Sequence, residues 1–319
     1  MQPPSVLVSS HFKEGHVKTL RERFTNVDFI QLDAGKGVPE QGRDARVLLR
    51  AAMPKEELSR VLREAPVEWL HTSTAGFDWV MVPEVLERQL TVTRSAASYS
   101  VPIGEYVVAT IFLLAKRFPQ LLDAQRRREW TTPEPDEIGG KTVAIVGAGA
   151  IGGEVAGHAA GLGMRVIGTK RTPEPLPHYE LVLPPHELPR ALAEADFLVL
   201  ACPLTPETRH VIGERELRHM KQSAFLINVG RGALVQQAAL VAALEEGWIA
   251  GACADAFEQE PLPPHSPLWS TKNLIVTPHS SFRSPRNMER ILEEFMINLQ
   301  RYLERKPLLN RLRDFELGY

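Results

Sequence analysis

The chain has 319 residues, 44% of them hydrophobic and 24% charged, with a formal net charge of −2. That length suits about two domains, and the composition is ordinary for a globular protein. So balanced a charge offers no bulk attraction for nucleic acid or for a membrane surface.

The N-terminal MQPPSVLVSS lacks the charged segment and long apolar run of a signal peptide. Within it 5-SVLVSS-10 reads as a buried strand, and 46-RVLLR-50 and 67-VEWLHTS-73 read as two more. A helix is expected over 54-PKEELSRVLREA-65, with Pro54 in its first turn. Strands alternating with helices argue for a parallel sheet. A long helix is expected over 101–128, with an apolar stripe through Ile103, Val107, Ile111 and Leu114 and the arginines 126-RRR-128 near its end. Its apolar run 106-YVVATIFLLA-115 is too short to span a bilayer. The polar 131-TTPEPDEIGGK-141 is a connector.

A second series follows. Strands are expected at 142–147, 164–169, 196–202, 224–229, 249–255 and 274–278, with helices starting near Ile151, Pro185, Thr208 or Gly213, Gln236 and Pro285. Short, continuously apolar strands suit a parallel sheet covered on both faces. The two cysteines, Cys202 and Cys253, fall in these apolar strands, which favours reduced thiols and a cytoplasmic setting over a disulfide frame. The last helix, 285–306, carries an apolar stripe through Ile291, Phe295 and Leu299 and could return to the first domain. The expected fold is α/β, with two Rossmann-like, doubly wound parallel-sheet domains. The substrate domain is 1–98 plus 284–319, and the cofactor domain, 99–283, is inserted into it.

The stretch 143-VAIVGAGAIGGEVA-156 places Gly147, Gly149 and Gly152 between a strand and a helix, the setting a dinucleotide fingerprint requires. Gly147 allows the turn, Gly149 lets backbone approach a pyrophosphate, and Gly152 lets helix and sheet pack closely. Ala150 and Ile151 open the helix, whose amides and dipole favour phosphate. An NAD site usually ends its next strand with an acid roughly 20 residues on. Here Lys170, Arg171 and Thr172 stand in that place. They would suit a 2′-phosphate, so NADP(H) is favoured and NAD(H) stays an alternative, with Glu174 close enough to complicate the choice.

Three further segments follow strand ends: 227-INVGRGALV-235, 251-GACADAFEQEPLPPHSPLW-269 and 274-LIVTPHSS-281. Together with 203-PLTPETRHVIG-213 and the glycine turn, they resemble the D-isomer-specific 2-hydroxyacid dehydrogenases, most closely the glyoxylate/hydroxypyruvate reductase branch. The resemblance is strong over 140–281. It implies that Arg231 binds substrate, that His279 is the catalytic acid/base, and that Glu260 is its acidic partner. It also implies cofactor contacts from Pro203, Thr208, Val229 and Asp255, although Asp255 could instead cap a helix. In the first domain 72-TSTAGFD-78 resembles the loop whose amides receive the substrate carboxylate, at Ala75 and Gly76. Arg50 could reach the same cleft between the domains.

These roles suit the chemistry. Reducing a 2-oxo acid needs a fixed cation for the carboxylate, for which arginine is apt. It also needs a proton donor that works near neutral pH, for which histidine is apt. The resemblance further implies a homodimer; the expected ligand is a small 2-oxo or 2-hydroxy acid, no metal is expected, and hinges should fall near 94–101 and 280–285. A phosphoglycerate dehydrogenase is an alternative. The broken R-S-x-T pattern at Arg50-Ala51-Ala52-Met53 and the short C-terminal segment weigh against it. Glu260 weighs against a formate dehydrogenase, where glutamine partners the histidine. A non-metabolic NAD(H)-sensing binding protein of the same fold stays open.

Overall fold

The computed structural model describes residues 4–74, 76 and 79–313. The chain divides into two compact units, Met1–Tyr99 with Ser284–Tyr319, and Ser100–Arg283. The chain passes between them at 99/100 and 283/284.

The first unit opens with β1 (Ser5–Val8), α1 (Glu14–Arg23), β2 (Asp28–Gln31), β3 (Val47–Arg50), α2 (Lys55–Glu64), β4 (Trp69–Thr72), α3 (Pro83–Glu87) and β5 (Thr91–Arg94). Its sheet has the order β2-β1-β3-β4-β5, all parallel. β2 and β5 were not expected. They are the outer strands, each with only its two middle residues buried, so 28-DFIQ-31 and 91-TVTR-94 never form a continuous apolar run. Inside the sheet His71 is fully buried, with its ring nitrogens 2.8 Å from Thr93 Oγ1 and 3.0 Å from Ser95 Oγ.

Burial pushes the His71 imidazole down to about 3. The unfolded chain takes up this proton near pH 6.5, whereas the folded chain refuses it until far lower. The stability is therefore full above pH 6.5 and falls by about 1.4 kcal/mol per pH unit below it. Urea midpoints at pH 7 and pH 5 should drop more in the wild type than in His71→Gln, and a pH-independent difference would count against this.

The second unit comprises α4 (Ser100–Ala115), α5 (Phe118–Arg127), β6 (Thr142–Val146), α6 (Ala150–Gly161), β7 (Arg165–Thr169), β8 (Leu181–Leu183), α7 (Leu188–Glu194), β9 (Phe197–Leu200), α8 (Glu214–His219), β10 (Phe225–Asn228), α9 (Gln237–Glu245), β11 (Gly251–Ala254) and β12 (Leu274–Val276). Its sheet runs β12-β11-β10-β9-β6-β7-β8, all parallel. Strand order reverses between β6 and β9, the switch point where open α/β sheets bind ligands. β8, a three-residue edge strand, was not expected either.

The single helix expected over 101–128 is two helices. Arg117 adopts left-handed backbone, φ 57°, and Pro119 follows it. Proline has no N–H for the carbonyl of residue 115, and its ring would collide with that carbonyl. Asp136 N donates to Ala115 O instead, at 2.9 Å, so the break ties the connector to the helix end.

The chain then returns to the first unit as α10 (Asn287–Leu303). Phe295 of α10 stacks on Trp69 at 5.4 Å. Glu294 accepts the amide and the hydroxyl of Ser98, at 2.7 and 2.5 Å, just ahead of the crossing. Among the described residues no helix is long and apolar enough to cross a membrane.

Candidate active site

Because all seven strands of the second unit are parallel, their carboxyl ends share one edge of the sheet. The glycine turn follows β6 there, and Lys170–Thr172 follow β7. Pro203–Thr208 come after β9, Val229–Arg231 after β10, Asp255–Glu260 after β11 and His279 after β12.

The glycine turn fits a dinucleotide. Gly147 has φ +103°, and a Cβ there would lie 2.6 Å from the backbone nitrogen of Cys202, across the switch point. At Gly152 a Cβ would lie 2.4 Å from Gly147 O. A Cβ on Gly149 would meet nothing within 4 Å, so that glycine leaves open space in front of α6 rather than relieving a contact in the protein. α6 starts at Ala150 and Ile151 without a side-chain cap, and first-turn amides have no acceptor within their own helix.

At the end of β7, Lys170 is ion-paired with Glu174. Arg171 and Thr172 are exposed. Glu207, held below the ordinary carboxylate range chiefly by the Thr205 hydroxyl, also feels the charge of Arg171. The loop after β9 is closed by Thr208, whose hydroxyl donates to Pro203 O at 2.7 Å. Val229 is buried and donates its amide to Leu200 O at 3.2 Å.

Two loops carry the titratable groups. Glu260 Oε2 lies 2.7 Å from His279 Nδ1, and Glu260 Oε1 accepts the Phe257 amide at 2.9 Å. Both side chains are about one third exposed. The carboxylate is therefore fixed by its own loop and fixes the ring in turn. His279 has left-handed backbone, φ 49°, and its amide donates to Thr277 O at 3.0 Å.

Arg231 is partly buried, with Nη1 donating to Gly230 O at 3.1 Å. The next residue, Gly232, presses on the other loop. A Cβ there would fall 1.8 Å from the carbonyl carbon of Phe257. The loops of Arg231 and Glu260 are thus in backbone contact. A second histidine–carboxylate pair, His210 Nε2 with Glu258 Oε1 at 3.0 Å, joins the same loop to the one after β9.

Asp255 starts no helix. Its carboxylate, 1% exposed, accepts Thr277 Oγ1 at 2.6 Å and the Ser280 and Ser281 amides at 2.9 Å each. It braces the turn that carries His279. Asn228 was not expected to matter. Its Oδ1 accepts Gly230 N and its Nδ2 donates to Arg231 O, both at 3.1 Å, so it shapes the arginine loop. The signal in the sequence was a lone polar residue ending the apolar run 225-FLIN-228.

In the first unit, Arg50 is enclosed, 3% exposed, and donates to Thr72 Oγ1 at 3.2 Å and Met53 O at 2.5 Å. Burial pushes its guanidinium down to about 10, which leaves it charged at neutral pH. It braces its own loop, and its Nε is buried without a partner. Ala75 lies outside the described residues. The carbonyl of Gly76 accepts the Thr74 hydroxyl at 2.7 Å.

Comparison with known proteins identifies the family. The family model for the NAD binding domain of D-isomer specific 2-hydroxyacid dehydrogenases matches residues 108–281. A glyoxylate reductase of Korarchaeum cryptofilum is 36% identical over 306 residues, covering 93% of this chain and 92% of the relative. A crystal structure of a D-isomer specific 2-hydroxyacid dehydrogenase from Xanthobacter autotrophicus Py2, in complex with NADPH and MES, is 30% identical and superposes with a TM-score of 0.87 over 100% of both chains. An NADPH-dependent glyoxylate/hydroxypyruvate reductase from Sinorhizobium meliloti, in complex with NADP and sulfate, is 25% identical with a TM-score of 0.83, covering 99% of this chain and 100% of that one. The chain belongs to the D-isomer specific 2-hydroxyacid dehydrogenases, enzymes that interconvert a 2-oxo acid and its 2-hydroxy acid with a nicotinamide dinucleotide.

Proposed function

We propose that the protein reduces glyoxylate or hydroxypyruvate, with NADPH preferred over NADH. The observation that carries this reading is the 2.7 Å pair of His279 and Glu260, on the sheet edge that also holds the glycine turn and the loop of Arg231. The bound dinucleotide supplies the hydride. Arg231 holds the substrate carboxylate, a task for which its charge is permanent and its fork bidentate. Glu260 occupies Nδ1 of His279, so the imidazolium gives its proton to the carbonyl oxygen from Nε2. In the reverse direction the same nitrogen takes the hydroxyl proton. Asp255 works from behind this turn, while Pro203, Thr208 and Val229 line the way to the cofactor. Ala75 and Gly76 are proposed substrate contacts on family resemblance alone. Arg50 is proposed as a brace rather than a contact.

The preference for NADPH is supported by Lys170, Arg171 and Thr172 at the place where an NAD site usually has an acid, and by the NADPH and NADP named for the two solved relatives. A 2′-phosphate would take Lys170 from Glu174. Oxidation of NADPH and of NADH should be followed with glyoxylate, hydroxypyruvate, pyruvate and phenylpyruvate. NADPH should be consumed faster, with one of the first two acids the best substrate. Lys170→Asp combined with Arg171→Ala should turn the ratio of the two kcat/KM values toward NADH. An unchanged ratio would remove the phosphate pocket from the reading. No turnover of any acid would favour the sensor reading.

We further propose a cytoplasmic homodimer. Phe118, Leu121, Leu122 and Trp130 on and after α5 are exposed, Trp130 by 99%, and a second copy of the chain would cover them. Light scattering at twice the chain mass tests this.

A further inference from the structure

One part-buried polar network in the second unit reaches the turn of His279 from a helix that the chemistry above does not use. Tyr106 of α4 places its hydroxyl 2.7 Å from Thr277 Oγ1 and 3.2 Å from Cys253 Sγ. Thr277 Oγ1 lies 2.6 Å from Asp255 Oδ1. The direction of the two hydroxyl protons follows by elimination. A carboxylate only accepts, so the single hydroxyl proton of Thr277 goes to Asp255. Tyr106 must then donate to Thr277, while the Cys253 thiol lies within reach of both Tyr106 and Thr110. Burial raises both the phenol and the thiol above their ordinary ranges, so each keeps its proton at neutral pH. The chain runs one way, from phenol to alcohol to carboxylate.

What that chain holds is the turn 277–281. Thr277 is fixed through its hydroxyl, and also through its amide, which donates to Ala254 O at 3.1 Å. Ser280 and Ser281 are fixed through their amides on Asp255. His279 lies between these anchors in left-handed backbone. Glu260 sets the rotation of the imidazole, while the backbone that carries it is held by Asp255 and Thr277. We propose that Tyr106 is a positioning residue for His279, acting through Thr277 and Asp255. This rests on the reading of His279 as acid/base.

The test uses Tyr106→Phe, which removes one oxygen and keeps the ring. Thr277→Val is the second variant, breaking the same chain one link further on. Two readings are taken on each. The first is hydrogen exchange of the Ser280 and Ser281 amides in the protein without ligand, which should accelerate by about tenfold if the brace loosens. The second is the single-turnover rate with the best oxo acid, which should fall by about tenfold as the imidazole loses its aim. The rate is measured again with His279→Gln already present, where Tyr106→Phe should have no further effect. Unchanged exchange at 280 and 281 would overturn the relay. An equal rate loss with and without His279 would overturn its action through that residue. If His279→Gln by itself left the rate intact, the acid/base reading would fail, and the exchange result would still judge the brace separately.

Discussion

Replacing His279 by glutamine should lower turnover by about 10²- to 10⁴-fold, the range expected when a positioned acid/base is lost. The affinity for NADPH, read by fluorescence titration, should stay within about twofold, because in the proposed role the imidazole acts on the reacting oxygen and not on cofactor binding. Glutamine can still donate one hydrogen bond, but it cannot release a proton. The loss should therefore appear in kcat and kcat/KM together, as for an interaction made in the transition state. It should also remove the limb of the pH–rate profile that reports the acid. Glu260→Gln should cost less, since it leaves the proton donor in place and removes only the charge 2.7 Å from Nδ1. If His279→Gln turned over at the wild-type rate, the proton would have to come from elsewhere, and the Arg231–Glu260–His279 assignment would fall.

Much of this site was legible in the sequence because its parts lie at strand ends. The apolar runs at 142–147, 196–202, 224–229 and 274–278 each end at a loop with unusual residues. A parallel sheet brings such loops to one edge without any knowledge of contacts. What was not legible follows from the same logic. β2, β5 and β8 are edge strands, half open to solvent, so their composition lacks the apolar continuity of β6 or β10. The break at Arg117 depends on one proline inside an apolar, helix-forming stretch. The brace on His279 joins Tyr106 to Thr277, 171 positions apart, and a tyrosine in an apolar helix face gives no sign that its hydroxyl is spoken for. Asn228 was visible as an anomaly, but what its amide does appears only when β10 and its loop are folded.

The glycines make the same distinction measurable, since two of them in similar motifs should fail in opposite ways. In Gly232→Ala the new Cβ would lie 1.8 Å from Phe257 C, 2.2 Å from Phe257 O and 2.3 Å from Glu258 N. All three are backbone atoms that cannot rotate aside, so the loops carrying Arg231 and Glu260 must separate. Overpacking of this kind costs about 1–3 kcal/mol of stability. Misplacing catalytic groups by about 1 Å costs on the order of 10²-fold in rate. Gly232→Ala should therefore lower both Tm and kcat/KM. In Gly149→Ala the Cβ meets nothing within 4 Å, so Tm should be unchanged. The methyl would instead occupy the space in front of α6 where a pyrophosphate approaches the backbone, and the Kd for NADPH should rise by about tenfold or more, the equivalent of at least 1.4 kcal/mol. Differential scanning calorimetry and cofactor titration on the two variants decide the matter. If Gly149→Ala bound NADPH as the wild type does, the dinucleotide would not lie over this turn. If Gly232→Ala kept its rate, the contact between the two loops would not be what positions Arg231.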